Sequence, residues 1–261
     1  MLATEFTDAY GTFALDWGSI HHVEVVDNHA TCYREDESVL SEISFVLHED
    51  KYVKHGEYKY YPQTRTVIKH YKYDLLHRED GPAIIISYQD DVYYEYWYKD
   101  GKVHHIGFPA IVCFKNGVLK SETWKQEGKI HRDDGPAFIM WYSNGNLKEV
   151  KYFKNEKLHR EDGPASLILK ENGELYHEVW YKEGDYHRED GPAVIMSHGV
   201  AKQDWYHHGV KIDMPADEPN DVEIDVPEDE SNDVEMLEAP GRWEDILLEK
   251  EQQNNSDPEW D

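Results

Sequence analysis

The sequence predicts an all-β protein, an elongated single antiparallel sheet of stacked β-hairpin repeats followed by a disordered acidic tail. Three observations predict this fold. The motif HREDGPA recurs at a nearly constant spacing. Aromatic residues reach 13% of the chain, with 19 Tyr and 8 Trp, and such side chains suit a pleated, half-buried surface. The composition also changes abruptly after residue 212, where acidic residues dominate.

The repeat has a period of about 28 residues. HREDGPA occurs three times, HRDDGPA once and a divergent copy, HHIGFPA, once; the motif histidines are His77, His104, His131, His159 and His187. Weaker copies begin at residues 55 and 33, at a shorter step. Such periodicity indicates a repeat protein whose units pack on their neighbours. The chain therefore divides into an N-terminal region with a degenerate repeat or cap (1–49), a repeat array (50–212) and a tail (213–261).

Each unit reads as a hairpin plus a tight connection. In one unit, residues 136–142 form an apolar strand, Asn144-Gly145 a turn, and residues 147–153 a second strand with interleaved charges. Asn-Gly is a strong hairpin signal because both central positions of such a turn need positive φ. Equivalent turns are Asn116-Gly117 and Asn172-Gly173, and a second turn falls at Asp100-Gly101, Glu127-Gly128 and Glu183-Gly184. A lone hairpin is marginal in water, so the units must stack.

The pattern WYKDGK…HREDGPA resembles the variant MORN repeats, which are common in large DNA viruses and some bacteriophages, with shorter relatives in a bacterial antitoxin-like family. The resemblance covers residues 50–212. It implies an elongated antiparallel sheet that serves as a scaffold or binding surface. Some eukaryotic relatives carry a catalytic domain, and none is visible in this sequence. HHIGFPA departs from the pattern, so no chemistry of the motif is carried over to that unit.

The motif is interpreted first as a structural connection. Its Gly can adopt backbone angles that other residues avoid, and the Pro after it favours an extended Gly. Its Asp can accept backbone hydrogen bonds, and its Arg can pair with a carboxylate of the same or the next unit. These residues are His77, Arg78, Asp80, Gly81, Pro82, His131, Arg132, Asp134, Gly135, Pro136, His159, Arg160, Asp162, Gly163, Pro164, His187, Arg188, Asp190, Gly191 and Pro192.

Metal binding and catalysis are the alternatives for the motif. A metal site needs three or four convergent ligands, whereas copies one repeat apart would lie roughly 10 Å from each other if each unit adds two strands. Catalysis needs a unique pocket, and four equal copies suggest that none is special. The sequence also has no nucleophile elbow, phosphate-binding Gly loop, HExxH or CxxC pair. We therefore assign no catalytic residue, cofactor or metal ligand and expect no enzyme.

An aromatic column accompanies the motif. A Trp or Tyr stands seven residues before each of the last four motif histidines, and Trp205 continues the spacing although Ile212 replaces the next His. The array thus ends in half a unit, as a capping repeat would. The aromatic side chains either cover one face of the sheet or form a stacking platform for a partner. The column consists of Trp97, Trp124, Tyr152, Trp180 and Trp205.

The net charge of −27 argues against binding to nucleic acid or to anionic membranes and leaves a basic protein as the expected partner. Two cysteines, Cys32 and Cys113, make no disulfide framework and favour a reducing compartment. The N-terminus lacks a signal-peptide pattern, and no apolar run is long enough for a membrane span. We expect an intracellular protein in the cytoplasm of the host or producing cell, with association with a virus particle as an alternative.

The tail holds 19 acidic residues against Arg242 and Lys250, a net charge of −17. Low hydrophobicity with high charge predicts disorder. Trp243, Ile246 and Leu247 stand at i, i+3 and i+4, which predicts a short amphipathic helix at 242–253 that docks on the sheet or on a partner. The alternative is a solvated tail that keeps the sheet soluble.

The leading functional hypothesis is a non-enzymatic repeat scaffold of viral origin that mediates protein–protein interaction. One alternative is an antitoxin- or immunity-like inhibitor whose acidic surface or tail covers a basic target. Another is an orphan enzyme or metal-binding protein that uses repeated His/Asp sites. Co-purification separates the three, because each predicts a different companion: a stoichiometric structural partner, a neutralised basic toxin, or a bound metal with turnover.

Overall fold

The computed structural model describes residues 20–197 and 202–213, which contain β-strands and no helix. None of this part of the chain therefore offers a helix that could cross a membrane. The strands fall into two compact units, one built from residues up to 116 with 125–128, the other from 117–124 with the residues after 128. The predicted tail, its helix at 242–253 and the residues Trp243, Ile246 and Leu247 lie outside the described residues.

In the first unit, each main strand pairs antiparallel with the next along the chain, from the strand that starts at His22 to the strand that ends at Lys115. Among the described residues, the first strand of the sheet starts at His22, upstream of the repeats that the sequence motif marks. The strands of this unit are β1 (His22–Val26), β2 (His29–Tyr33), β3 (Val39–His48), β4 (Lys51–Tyr60), β5 (Arg65–Lys72), β6 (Leu75–Leu76), β7 (Ile84–Tyr88), β8 (Val92–Tyr96), β9 (Tyr98–Lys99), β10 (Lys102–Val103), β11 (Ile111–Lys115) and β13 (Lys125–Gln126).

In the second unit, the main strands also pair antiparallel in chain order, from the strand that starts at Val118 to the strand that ends at Ile212. Successive antiparallel hairpins in both units confirm the predicted fold class. The strands here are β12 (Val118–Thr123), β14 (Lys129–Ile130), β15 (Phe138–Trp141), β16 (Leu147–Lys151), β17 (Phe153–Lys154), β18 (Lys157–Leu158), β19 (Ser166–Leu169), β20 (Leu175–Val179), β21 (Tyr181–Lys182), β22 (Asp185–Tyr186), β23 (Val194–Met196), β24 (Lys202–His207) and β25 (Val210–Ile212).

Each complete repeat contains a long hairpin and a separate two-residue hairpin. The second strand predicted at 147–153 is interrupted at Tyr152, whose N–H donates to Ala165 O (2.8 Å) and whose carbonyl accepts from His159 N–H (3.1 Å). Beyond it, β17 pairs only with β18. The aromatic column therefore marks the point where the chain leaves the main ladder, and the short hairpin that follows carries the chain into the motif.

The turns divide into two classes. Asn116 and Gly117 both have positive φ, as predicted for a two-residue hairpin turn, and so do both central residues of the second turns, such as Glu183 and Gly184. The same prediction is wrong at Asn144-Gly145, where only Gly145 has positive φ. There the Asn144 side chain accepts from the N–H of Asn146, Gly145 N–H donates to Tyr142 O, and the strand register shifts. Asn172-Gly173 repeats this wider turn.

The core is thin and is built from small and β-branched residues. In the first unit, Val23, Ala30, Cys32, Ile43 and Phe45 form a buried cluster. Every motif Ala is fully buried, and the residue two places later lies on the same side of its strand because side chains alternate. In the second unit this column pairs across strands with the almost fully buried Val150, as at Ile139 and Leu167. The motif thus begins each strand at its most buried point.

Candidate functional site in the HREDGPA connections

Each motif histidine binds the backbone of the following short turn. Its Nδ1 accepts a hydrogen bond from the N–H of the first turn residue, a contact that we call the His latch. That residue has positive φ at all five turns. The latches are His77 to Asp100 (3.1 Å), His104 to Glu127 (3.0 Å), His131 to Asn155 (3.4 Å), His159 to Glu183 (3.1 Å) and His187 to His208 (3.2 Å).

The two ring nitrogens of each latch histidine have different surroundings. When Nδ1 of the neutral imidazole accepts this hydrogen bond, the proton lies on Nε2. The carboxylate of the same turn residue also approaches Nδ1, at 2.9 Å for His77 and Asp100. Nε2 faces the carboxylate two residues later, at 3.1 Å from Glu161 for His159 and 3.4 Å from Glu79 for His77. The rings of His77, His159 and His187 are buried. A buried ring whose lone pair is already bonded is poorly placed to act as a general base.

Two backbone hydrogen bonds accompany each latch. In the repeat of His159, the N–H of Arg160 donates to Tyr181 O (3.3 Å), and the N–H of Gly184 donates to Leu158 O (2.9 Å). The repeats of His77, His104, His131 and His187 carry equivalent pairs. Each short hairpin is therefore joined to the next by three hydrogen bonds, of which the His latch is the only one that needs a particular side chain.

The motif Arg covers the aromatic column. The guanidinium of Arg132 lies 3.8 Å from the ring centre of Trp124, that of Arg188 lies 4.0 Å from Trp180, and that of Arg160 lies 4.3 Å from Tyr152. Nε of each Arg also donates to the Asp two residues later, at 2.9–3.2 Å. This hydrogen bond with Arg holds the pKa of Asp80 and of Asp134 below its ordinary value. The Arg thus pairs within its own motif, one of the two pairings expected from the sequence.

The structure gives the motif Gly a different role from the expected one. Gly81, Gly135, Gly163 and Gly191 do not have positive φ, so a left-handed backbone conformation does not explain them. Instead, a Cβ at Gly163 would stand 2.7 Å from Cζ of Arg160, and the other three would meet their own Arg at 2.9–3.1 Å. Gly is present because the guanidinium packs directly over its Cα.

The aromatic column is half-buried, and Trp205 is buried. Nε1 of Trp124 donates to Glu122 (3.0 Å), and Nε1 of Trp180 donates to Glu178 (3.1 Å). Burial raises the pKa of Glu122, which the hydrogen bond from Trp124 and the charge of Arg132 oppose. Contacts to Arg and Glu fit the interpretation that the column covers one face of the sheet, while contact with a partner stays a prediction.

In the first unit, β7, β8 and β11 place half-buried apolar side chains on the sheet face opposite to Val112, and the row through Ile84 continues to Lys69 on β5. Cross-strand pairs align two rows there, and we call these six residues the tyrosine face: Ile84, Tyr96, Ile111, Ile86, Tyr94 and Cys113. All six are half-buried, whereas Val112, on the other face, is only 2% exposed. A hydrogen bond with Cys113 and burial raise the pKa of Tyr94 to about 12. The corresponding rows of the second unit contain charges, such as Glu149 and Lys151.

One cluster was missed by the sequence reasoning. His207 and His208 occupy the last short turn, and their ligand atoms and that of His187 all lie within 4.8 Å of one another. Comparing the copies of the motif with one another could not reveal this cluster, because it combines the His of one motif with two residues of the following turn. The signal was Tyr206-His207-His208-Gly209, where the preceding repeat has Tyr-Lys-Glu-Gly.

Comparisons with protein-family models and with curated proteins find no match to this chain.

Proposed function

We propose that this chain is a non-enzymatic scaffold of variant MORN-type repeats, of viral origin, that binds another protein through the tyrosine face of its first unit. The observation that carries the proposal is the internal use of the motif. In the repeat of His159, the imidazole accepts a hydrogen bond from the next turn, and Arg160 packs on Tyr152 and donates to Asp162. The viral origin depends on the resemblance of the repeats alone.

The motif supports a scaffold better than a catalyst. Catalysis requires a group whose environment differs from those of its copies, and the latch and the Arg–Asp pair recur with nearly the same distances. Most of the carboxylates involved are exposed, with Asp80, Asp162 and Asp190 more than 80% accessible. Exposed ion pairs of this kind contribute little energy, so their main effect is to orient the Arg.

The tyrosine face has the composition of a protein-binding surface. Tyr side chains are enriched at energetically important interface positions because they combine a large apolar area with a polar tip. Tyr94 and Tyr96 stack with ring centres 6.3 Å apart, and Tyr88 lies 6.1 Å from Tyr94. Contiguous apolar patches are uncommon on monomeric proteins unless they bind something. The net charge of −27 favours a basic partner.

The experiment begins with the full-length chain purified from its producing cells and the identification of any stoichiometric companion. Binding of that companion is then measured by surface plasmon resonance against Tyr94→Ala/Tyr96→Ala. We expect at least a tenfold weaker affinity for this variant. The matched control is Tyr73→Asn, which removes a 45% exposed Tyr from a turn where φ is positive. Equal binding by all three proteins would exclude the tyrosine face.

The same measurement tests the tail. A segment with a net charge of −17 should accelerate encounter with a basic partner at low salt, and this attraction is screened above about 0.15 M salt. We expect deletion of residues 213–240 to slow association and weaken its salt dependence, and Trp243→Ala/Leu247→Ala to speed dissociation. Unchanged rates would leave the tail a solubility device. Neutralisation of a toxic companion, or turnover of a substrate, would favour the inhibitor or the enzyme instead.

A further inference from the structure

The last short turn of the second unit differs from the other short turns in its chemistry. The preceding repeat places Lys182 and Glu183 in its turn, whereas this one places His207 and His208 there. Both side chains are exposed, and both face the buried ring of His187. The ring centres lie 4.8 Å apart for His187–His207, 4.3 Å for His187–His208 and 4.5 Å for His207–His208. Three imidazoles therefore converge on one point.

The ring of His187 is surrounded by the two imidazoles of the following turn, a carboxylate and a lysine. Nε2 of His187 is buried and makes no hydrogen bond, and the same holds for Nε2 of His159, whereas Nε2 of His77 contacts Glu79 at 3.4 Å. Burial, followed by the neighbouring His208 and His207, lowers the pKa of His187. Neutral imidazole is the form that binds metal ions. The charged groups around it are Glu189, 3.7 Å from Nε2, and Lys182.

We propose that His187, His207 and His208 bind one divalent transition-metal ion, with Zn²⁺ as the representative. Imidazole is a preferred ligand of Zn²⁺, Ni²⁺ and Cu²⁺, and three protein ligands leave a fourth position for water. Ligand nitrogens around such an ion stand about 3.3 Å apart for bonds of ~2.0–2.1 Å. The three ligand atoms lie within 4.8 Å of one another, so metal binding requires the two exposed rings to rotate until the nitrogens reach that separation.

The latch determines which atom of His187 serves as ligand. Nδ1 faces the turn, since it accepts the N–H of His208 at 3.2 Å. Binding through Nδ1 leaves the proton on Nε2, directed toward the Glu189 carboxylate, and a carboxylate behind a ligating His orients the ring. The ion replaces one hydrogen bond of the latch. The released N–H belongs to an exposed turn, where water can take the place of Nδ1.

Metal binding at this cluster crosslinks the last short hairpin to the motif before it. A metal ion bound by His187 and by a turn 20 residues later joins the final short hairpin to the preceding motif by coordination bonds. An ion that binds only the folded state stabilises it in proportion to the logarithm of its concentration over its dissociation constant. The final repeat has no further repeat motif after it, so this is where such reinforcement has the largest effect.

The test uses the tag-free full-length chain at pH 7.5, titrated with ZnCl₂ in a calorimeter and with CoCl₂ in a visible spectrometer. We expect one ion per chain and an intense Co²⁺ absorption typical of four-coordinate nitrogen ligation. His207→Lys/His208→Glu, which recreates the preceding turn, should lose both signals while retaining the wild-type circular dichroism. His187→Ala should weaken binding at least tenfold. Binding should also weaken at pH 5.5, because protonated His cannot ligate.

Two matched variants sharpen the test. His159→Ala removes a latch of the same unit and should leave the metal affinity unchanged. Lys182→His/Glu183→His places the proposed ligand set beside His159 and should raise the stoichiometry from one to two. The proposal is overturned if His207→Lys/His208→Glu binds Co²⁺ like wild type, or if His159→Ala weakens binding as much as His187→Ala. Only weak, multi-site binding that disappears on deletion of the acidic tail would also overturn it.

Discussion

The repeat of His159 and the repeat of His104 solve the same packing problem with different side chains. Both keep the latch, at 3.1 Å to Glu183 and 3.0 Å to Glu127. The first covers its aromatic residue with Arg160. The second, HHIGFPA, places the ring of His105 at 4.4 Å from Trp97 and 5.1 Å from Phe108. The latch is therefore the constant part of the connection, and the cover over the aromatic is the replaceable part.

The replacement is concerted. Where Arg is absent, the motif Gly is also absent, and Phe108 occupies its position without a guanidinium to collide with. The motif Asp is replaced by Gly107, which has positive φ. Arg, Asp and Gly thus form one set that is kept or lost together. This agrees with the finding that the Gly makes room for Arg.

The largest effect should come from breaking the latch itself. His159→Ala removes a buried ring and the acceptor of Glu183 N–H, and we expect it to lower the free energy of unfolding by about 2 kcal/mol. His104→Ala should cost a similar amount, because its latch is the same. Urea denaturation followed by Trp fluorescence measures both. His159→Asn offers an oxygen near the position of Nδ1 and should recover part of the loss; no recovery would mean that ring packing alone matters.

A double-mutant cycle tests the link between Gly and Arg. Gly163→Ala and Arg160→Ala should each destabilise by about 1 kcal/mol, since each disrupts the Arg160–Tyr152 stack. The double variant should cost about the same as Arg160→Ala alone, because the added methyl then has nothing to displace. Additive losses, measured by the same denaturation, would show that Gly163 has a backbone role after all.

The turn at Asn155-Glu156 offers a substitution that should stabilise the protein. Glu156 has a φ of 71°, a conformation that the other short turns give to Gly at 101, 128, 184 and 209. Glu156→Gly should raise the free energy of unfolding by about 0.5–1 kcal/mol, because the strain of a left-handed residue exceeds the added chain entropy. Thermal denaturation measures the change, with Glu183→Gly as the control at the first turn position. A destabilised Glu156 variant would contradict this.

The smallest expected effect is a difference in pH response between the two kinds of repeat. Burial, followed by the nearby His104, lowers the pKa of His105. As the pH falls through about 6.5, the unfolded chain takes up this proton first, so stability is lost from there down to the lower pKa of the folded state. His105→Phe should reduce the fall in melting temperature between pH 7.5 and 5.5. His70 and His187 titrate in the same direction and are unchanged in this comparison, so an identical fall would exclude His105.

The sequence was most informative where the fold depends on local chemistry. Strand class, hairpin repetition and the second turns follow from short patterns such as Glu183-Gly184, because positive φ is a property of the turn itself. The turn at Asn144-Gly145 was mispredicted because the Asn144 side chain stabilises a wider loop that the dipeptide alone does not distinguish. The role of Gly163 was mispredicted because the close neighbour is a side chain and not a backbone angle.

The latch could not be predicted from side-chain patterns. Its donor is a backbone N–H, which every residue except Pro possesses, and so the partner of His159 leaves no mark on the sequence. The three histidines are evident in the sequence, but their proximity is not. Only the packing of one short turn on the preceding motif brings His207 and His208 to His187. Non-local contacts made through the backbone are the ones that sequence reasoning misses.

The latch also has a direction and a fixed reach. Every latch joins a His to a turn residue 21–24 positions closer to the C-terminus. A chain emerging from a ribosome can therefore close each connection as soon as about one further repeat has been synthesised. Contacts of constant, short sequence separation favour rapid folding and limit the time for which unpaired strand edges are exposed. Within each unit, the repeats are suited to vectorial assembly from the N-terminal end.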